Sequence, residues 1–320
     1  MVGAGVAGLL AARDLDAAGA TVTVLDKGRG VGGRLATRRI GTARFDHGAQ
    51  FLTARSAPFA AEVAAWSAAG TVVPWFEGVL GADGIVVDDG EVRHRGAPTM
   101  TAVAKALAGG LDVRTASRVA TAGHQDGRWE VGLVDGATVA ADAVVLTAPV
   151  PQVLALLDPD VVDPVDRLAL ERITYEPCLA VLAVLDRSPG IGAPGARRPS
   201  GEPVAFYVDN QAKGVSSIPA VTVHAGPATS SALFDAPEGE VVDAVLGGLD
   251  LGGAVVLDAQ VQRWRYAQAT VAHPEPCLAL RGAVPAVVAG DAFGDGGRIE
   301  GAALSGMAAA RVLAERLGLG

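Results

Sequence analysis

Three glycines near the start of the chain, Gly3, Gly5 and Gly8, stand in the order G-x-G-x-x-G, and the short β-branched run Thr21–Leu25 ends in Asp26, eighteen residues after Gly8. That spacing suits a dinucleotide. Gly3 permits a tight turn, Gly5 lets the backbone approach a pyrophosphate, and Gly8 allows close helix–strand packing. Val6 and Ala7 then open a helix whose N-terminus faces the phosphates, while the Asp26 carboxylate stands where ribose hydroxyls are held. Alone the glycine pattern is weak, because alanine- and glycine-rich chains produce it by chance. The context strengthens it. Directly after Asp26 comes Lys27-Gly28-Arg29-Gly30-Val31-Gly32-Gly33-Arg34, a basic glycine loop that a single nicotinamide site does not require. Its bland alternative is a solvated loop, but Gly32-Gly33 followed by Arg34 fits a backbone passing a pyrophosphate with a guanidinium supplying charge. Near the other end Gly290-Asp291 makes a second glycine turn, further glycines run to Gly297, and a long helical pattern follows from Ile299.

Chemistry of other kinds finds little footing. There is no G-x-S-x-G elbow, no G-x-x-x-x-G-K-[ST] loop and no H-E-x-x-H pair, so nothing advertises hydrolysis. Five histidines are present and none pairs at metal-ligand spacing, so no metal is expected. Cys178 and Cys277 are too few for a disulfide framework and lie in no C-x-x-C. Both sit in Glu-Pro-Cys-Leu-Ala, at 176–180 and 275–279, which reads as two strand starts rather than a redox couple. The 26 Lys and Arg against 35 Asp and Glu leave a net charge of −9, with no general electrostatic reason to seek nucleic acid or anionic membrane. Seven Phe, four Trp and three Tyr are too sparse for a stacking platform. Half of the residues are apolar, yet no uninterrupted run reaches the roughly 18 residues of a membrane span. The apolar start Val2–Ala12 lacks the preceding basic residues of a signal peptide. A reducing cytoplasm is the expected setting.

The glycine loops need strands and helices to hold them. In the first helix Val6, Leu9 and Leu10 share one side, and Gly19 closes it. Thr21–Leu25 reads as the second parallel strand, Ala286–Ala289 as a short apolar strand, and Arg114–Val119 with the pair Arg128–Val131 and Ala143–Leu146 as the remaining strands of such a domain. A first strand of about five residues is expected before Gly3, where only Met1 and Val2 stand. In Ile299–Leu317 the row Leu304, Ala308, Val312 is apolar while Arg311, Glu315 and Arg316 face water. Ala60–Ala69 and Val241–Leu249 read as helices covering a sheet, Val221–Ala225 and Val255–Val261 as strands, and Arg187–Gly201 as an exposed loop.

Longer blocks carry a resemblance. Asp26–Arg34, Phe45-Asp46-His47-Gly48-Ala49-Gln50-Phe51, Asp209-Asn210-Gln211-Ala212-Lys213-Gly214, Val223-His224-Ala225, Trp264-Arg265-Tyr266-Ala267, Gly290-Asp291 and Glu300–Gly306 are together similar to the renalase family, particularly its bacterial members, over essentially the whole chain. The resemblance implies an α/β architecture of the p-hydroxybenzoate-hydroxylase-like type: an FAD/NAD(P)-binding Rossmann-like domain with an inserted mixed-sheet α+β substrate domain. The first domain would comprise 1–60, 96–150 and 280–320, the second 61–95 and 151–279. It implies non-covalent FAD held by Gly3, Gly5, Val6, Ala7, Gly8, Asp26, Lys27, Gly33, Arg34, Val119, Gly290, Asp291, Gly297 and Ile299. Val119 would contact the adenine through its backbone, Asp291 would meet the ribityl–phosphate region, and the last helix would point at the flavin.

The implied reaction is oxidation of 2- and 6-dihydro-NAD(P) isomers to NAD(P)⁺, with O2 reduced to H2O2, a metabolite repair. Such a hydride is expelled by the ring nitrogen's lone pair, so placement near the flavin suffices and no strong base is needed. Gln50, Asn210, His224 and Arg265 are the expected substrate-facing residues, with Tyr207, Trp264 and Tyr266 as stacking surface; each has a plain structural alternative. Fold alone does not choose the reaction. An FAD-dependent amine oxidase is the alternative. Such enzymes usually present an aromatic cage and a lysine near the flavin, and of the three lysines, Lys27, Lys105 and Lys213, only Lys213 lies in the expected substrate domain. A binding protein resembling the GDP-dissociation inhibitors is the non-enzymatic alternative, against which the intact glycines and Asp26 speak.

Overall fold

The computed structural model describes residues 1–294 and 297–319, and these fall into two compact units. The first comprises Met1–Gly33, Val103–Thr174 and Ala269–Gly320, the second Arg34–Ala102 and Tyr175–Gln268.

The first unit is built on a mainly parallel sheet. Asp112–Arg114 lies beside Thr23–Leu25, and Val144–Leu146 beside Ala286–Val288, with Leu278–Ala279 as an antiparallel edge. Val2 bridges Leu25 on one side and Leu146 on the other, so the residue before the glycine turn occupies the middle of the sheet. The expected run 114–119 is instead two elements, Asp112–Arg114 and Val119–Gln125. The second of these opens an antiparallel sheet with Arg128–Leu133 and Thr138–Ala141. Helices Val6–Ala17 and Arg298–Leu317 pack together over the parallel sheet, burying Ala11, Leu15, Val145, Val287, Ala309 and Leu313. Their approach is close enough that a Cβ on Gly306 would stand 2.2 Å from the Ala7 carbonyl oxygen. The last helix ends where Gly318 turns left-handed, φ +66°.

The second unit carries a five-stranded sheet in the order Ala196–Arg197, Val204–Asp209, Ala220–Ala225, Thr174–Leu185, Val256–Val271. Strand alternation sorts its two faces. Leu179, Val181, Ala183, Val221, Val223 and Val261 pack with the helix Glu238–Leu246. The other face offers Leu182, Val184 and Ala220 to Ile40, Ala43 and Phe45 of a hairpin formed by Thr37–Ile40 and Ala43–Asp46. A second, longer hairpin, Val72–Leu80 with Val86–Gly96, packs Leu80 against Phe206 and Val208.

These contacts place the division differently from the sequence expectation. Residues 34–60 go with the second unit because the Ile40–Phe45 hairpin buries its apolar side on that sheet. Residues 151–174 go with the first, where Leu157 bridges Ala122 and Asp166 holds Arg281.

Candidate active site

The first unit forms a cradle at its glycine turns. Gly3 has φ +109°, and a Cβ on Gly8 would stand 2.0 Å from the Gly3 carbonyl oxygen, so the turn closes onto its helix only without side chains there. A Cβ on Gly5 would meet nothing within 4 Å, so that glycine leaves open space. No side chain caps the helix that starts at Val6, and the amides of Val6, Ala7 and Gly8 therefore keep their pull on an anion. The basic loop returns to this turn: the Gly32 amide donates to the Ala4 carbonyl at 2.8 Å, and Gly33 sits against Gly5.

Asp26 Oδ2 accepts from the Ala4 amide at 2.7 Å and Oδ1 from the Gly28 amide at 2.6 Å. Each oxygen retains a lone pair for a hydroxyl. Thr147 Oγ1 donates to the Val2 and Gly3 carbonyls, and Gly290, with φ +142°, lies against Thr147 while its amide donates to Ser305 Oγ at 2.8 Å. Asp291 is buried, and Gly297 begins the last helix without a side-chain cap, just before the buried Ile299. Both ends of the chain thus meet at one cradle of uncapped helix starts, side-chain-free backbone and one ribose-class carboxylate. A flavin dinucleotide fits that donor set.

Other expected cofactor residues have different surroundings. Lys27 Nζ donates to Gln152 Oε1 at 2.9 Å, and Val119 is a buried strand start. Arg34 opens the second unit and donates to the carbonyls of Tyr266 and Ala267. Asp295 and Gly296, within the expected glycine turn, lie outside the described residues.

The second unit gathers a buried polar cluster. Lys213, fully buried, donates from Nζ to Asp46 Oδ2 and Gln50 Oε1, both at 3.0 Å, and its ammonium stands 5.1 Å from the Trp75 ring centroid. Gln50 Nε2 donates to the Asp46 carbonyl at 2.6 Å, and Thr37 Oγ1 and the Met100 amide donate to Asp46 Oδ1. Asn210 Nδ2 donates to Thr222 Oγ1 at 2.9 Å, which donates to the Asp46 carbonyl at 3.1 Å. His224 is two residues along from Thr222 on the same sheet face. The Trp264 indole donates to the His47 carbonyl at 2.9 Å and stacks on the His47 ring.

Burial pushes the Lys213 ammonium below its ordinary range, partly offset by the Asp46 carboxylate. Burial likewise pushes His47 and His224 down to about 4. Both imidazoles are neutral at pH 7. Three atoms of the cluster, His47 Nδ1, Asn210 Oδ1 and His224 Nε2, have no hydrogen-bond partner among the described residues. Beside it Phe51 forms edge and tilted contacts with Trp75, Phe76 and Phe206.

Of the expected substrate-facing residues, the fold brings Gln50, Asn210 and His224 together and leaves Arg265 apart. Alternation along Val256–Val271 turns Trp264 toward the cluster and Arg265 the other way. There its side chain is 59% exposed, pairs with Asp235 and lies over the Phe234 ring at 4.2 Å. Asp46, His47 and Thr222 were not singled out from sequence, although Asp46 and His47 lie in the same block as Gln50. Trp75 carried no signal, since only the fold of its hairpin brings it to Lys213.

Residues 77–314 match the family model of flavin containing amine oxidoreductases, and residues 1–64 that of an NAD(P)-binding Rossmann-like domain. The chain belongs to the flavin-containing amine oxidoreductase family. It is an FAD-dependent oxidoreductase, with a Rossmann-like nucleotide-binding domain and an inserted substrate-binding domain. Among solved structures it is similar to wild-type putrescine oxidase bound to putrescine, at 15% identity over 98% of each chain with a TM-score of 0.70. It is also similar to a protein named as a protoporphyrinogen oxidase from Exiguobacterium sp. 255-15, at 16% identity over 99% of this chain and 98% of that one, TM-score 0.73. At such identities the likeness shows the fold. The family shown is thus broader than the renalase resemblance, the expected FAD-dependent enzyme stands, and the alternative of a binding protein without redox work falls away. Among the described residues no His, Cys, Asp or Glu group is placed to hold a metal, and no helix is long and apolar enough to cross a membrane.

Proposed function

We propose that the protein is an FAD-dependent oxidase of a small amine, converting the amine to an imine while O2 is reduced to H2O2. The observation that carries this reading is Lys213, a fully buried cation beside an aromatic group, in a chain of the amine oxidoreductase family. FAD, held non-covalently by the glycine turns, Asp26 and the Gly290-Asp291 turn, would supply the two-electron acceptor. The side chains of the cluster have a different task. An amine loses hydride only as the free base, whose nitrogen lone pair drives the loss. With the Asp46 carboxylate already taken by Lys213, and His47 and His224 neutral, the cluster offers no free negative charge to hold an ammonium. The surroundings of Lys213 therefore select the unprotonated amine.

A second reading, oxidation of 2- and 6-dihydro-NAD(P) isomers, is supported by the order and spacing of the sequence blocks. Neutral, unpartnered groups on Asn210 and His224 also favour it, being of the kind that a carboxamide engages. A soluble cytoplasmic setting belongs to either reading. Anaerobic stopped-flow mixing with putrescine, a panel of aliphatic and aromatic amines, and the 2-, 4- and 6-dihydro forms decides between them. Rapid loss of the oxidised flavin absorbance with an amine is expected. Bleaching by the 2- or 6-dihydro isomers alone would reverse the order.

A further inference from the structure

The hairpin of Thr37–Ile40 and Ala43–Asp46 sets Arg39 directly opposite Arg44. Like charges so placed repel, and among the described residues neither guanidinium has an ion-pair or hydrogen-bond partner. Among the described residues no carboxylate is placed against them. The two arginines line a cleft of about 590 Å³, together with Thr42, Gly214, Ser216 and Ser217 and with no acidic residue. The Ser217 hydroxyl and amide have no partner among the described residues. A third guanidinium stands close by: a Cβ on Gly214 would lie 3.0 Å from an Arg95 nitrogen.

We infer that this cleft binds a phosphate group carried by a soluble small molecule, held between the Arg39 and Arg44 guanidinium groups and the Ser217 hydroxyl. Paired guanidinium forks match the oxygens of a phosphate and neutralise its two charges, which also relieves their mutual repulsion. The site is distinct from the Lys213 cluster and does not rest on the choice of oxidisable substrate. It is nevertheless tied to that cluster through one loop. Lys213 reaches Asp46 from the loop's start, and Ser216 Oγ accepts from the Arg44 amide at 3.3 Å near its end. A bound phosphate would therefore hold the segment that carries Lys213.

The test is a titration of the purified full chain with inorganic phosphate in phosphate-free buffer at constant ionic strength, followed by calorimetry and by melting temperature. Saturable binding with a rise in melting temperature is expected, and chloride at matched ionic strength should not reproduce it. Arg39→Gln and Arg44→Gln should each weaken binding about tenfold or more, the loss of one charge-assisted pair of hydrogen bonds. Without phosphate both variants should melt no lower than the parent, because a repulsive pair has been removed. Should either melt lower, Ser217→Asp supplies the comparison: it keeps both arginines, brings a carboxylate to them, and should abolish binding. Equal phosphate affinity in all three variants, or a rise reproduced by chloride, overturns the site. Binding to phosphatidic acid vesicles that inorganic phosphate does not compete, lost in Arg39→Gln, would overturn the soluble source in favour of a lipid headgroup.

Discussion

Lys213 and Asp46 form an ion pair with no solvent on either side, and that decides how substitutions there behave. Removing one member leaves an unpaired charge in a low-dielectric site, which typically costs about 3–5 kcal/mol, whereas removing both leaves none. Asp46→Asn retains an acceptor for Thr37 and Met100 but loses the charge, so a loss of that size is expected in urea unfolding. The double variant Asp46→Asn/Lys213→Met should recover most of it. Simple additivity of the two single losses would show that the pair is not desolvated as described. The neighbouring histidines make a second prediction. Their pKa values of about 4 lie below the ordinary 6.5, so the folded state binds fewer protons than the unfolded one. Stability is then full above pH 6.5 and falls as pH drops toward 4, by on the order of 3 kcal/mol for a single histidine. Unfolding at a series of pH values should show this slope flattened in His224→Gln relative to the parent. An unchanged slope would mean that His224 is not held neutral by burial.

At the scale of the element, the glycine turn before the helix Val6–Ala17 separates two uses of glycine. Gly8 is needed by the protein itself, since its missing Cβ is where the Gly3 carbonyl lies. Gly8→Ala should therefore destabilise the apoprotein, by about 1–3 kcal/mol as overpacking usually does. Gly5 has an ordinary backbone conformation, φ −80° and ψ 179°, and open space before it. Gly5→Ala should leave apoprotein melting within about 0.5 kcal/mol of the parent yet reduce bound flavin, measured as flavin absorbance per mole of protein. Full flavin content in Gly5→Ala would place the cofactor's phosphates elsewhere.

For the molecule as a whole, the chain passes between its two units at 33/34, 102/103, 174/175 and 268/269. Neither unit is a contiguous piece. The parallel sheet of the first unit needs Ala286–Val288 beside Val144–Leu146, and its helical cover needs Arg298–Leu317. A fragment ending at Thr174 lacks both and leaves Val145 and Leu15 uncovered. It should show no cooperative melting by circular dichroism and no flavin retention; a cooperative, flavin-binding fragment would mean that the C-terminal strand and helix are dispensable. The same discontinuity explains where sequence boundaries and structural ones part. Residues 34–60 follow the glycine loops directly and read as their continuation, but which sheet receives the Ile40–Phe45 face is a long-range matter that no local pattern records.

Local rules determined the rest. The G-x-G-x-x-G turn, the Thr23–Leu25 strand ending at Asp26, and the helix beginning near Ile299 were legible in the sequence because turn, strand and helix starts depend on residues a few positions apart. The membership of the second unit's cluster was legible only in part. Period-two alternation within Val221–Ala225 puts Thr222 and His224 on one face. The strand read as ending at Val261, however, runs on to Val271, and only that extension turns Arg265 away from Trp264; which face meets which partner is set by packing. Tertiary structure alone decided that Lys213 is buried against Asp46, 167 residues distant in sequence, and that Trp75 covers it. A side chain's charge is written in its type, whereas its desolvation depends on what the rest of the chain packs around it.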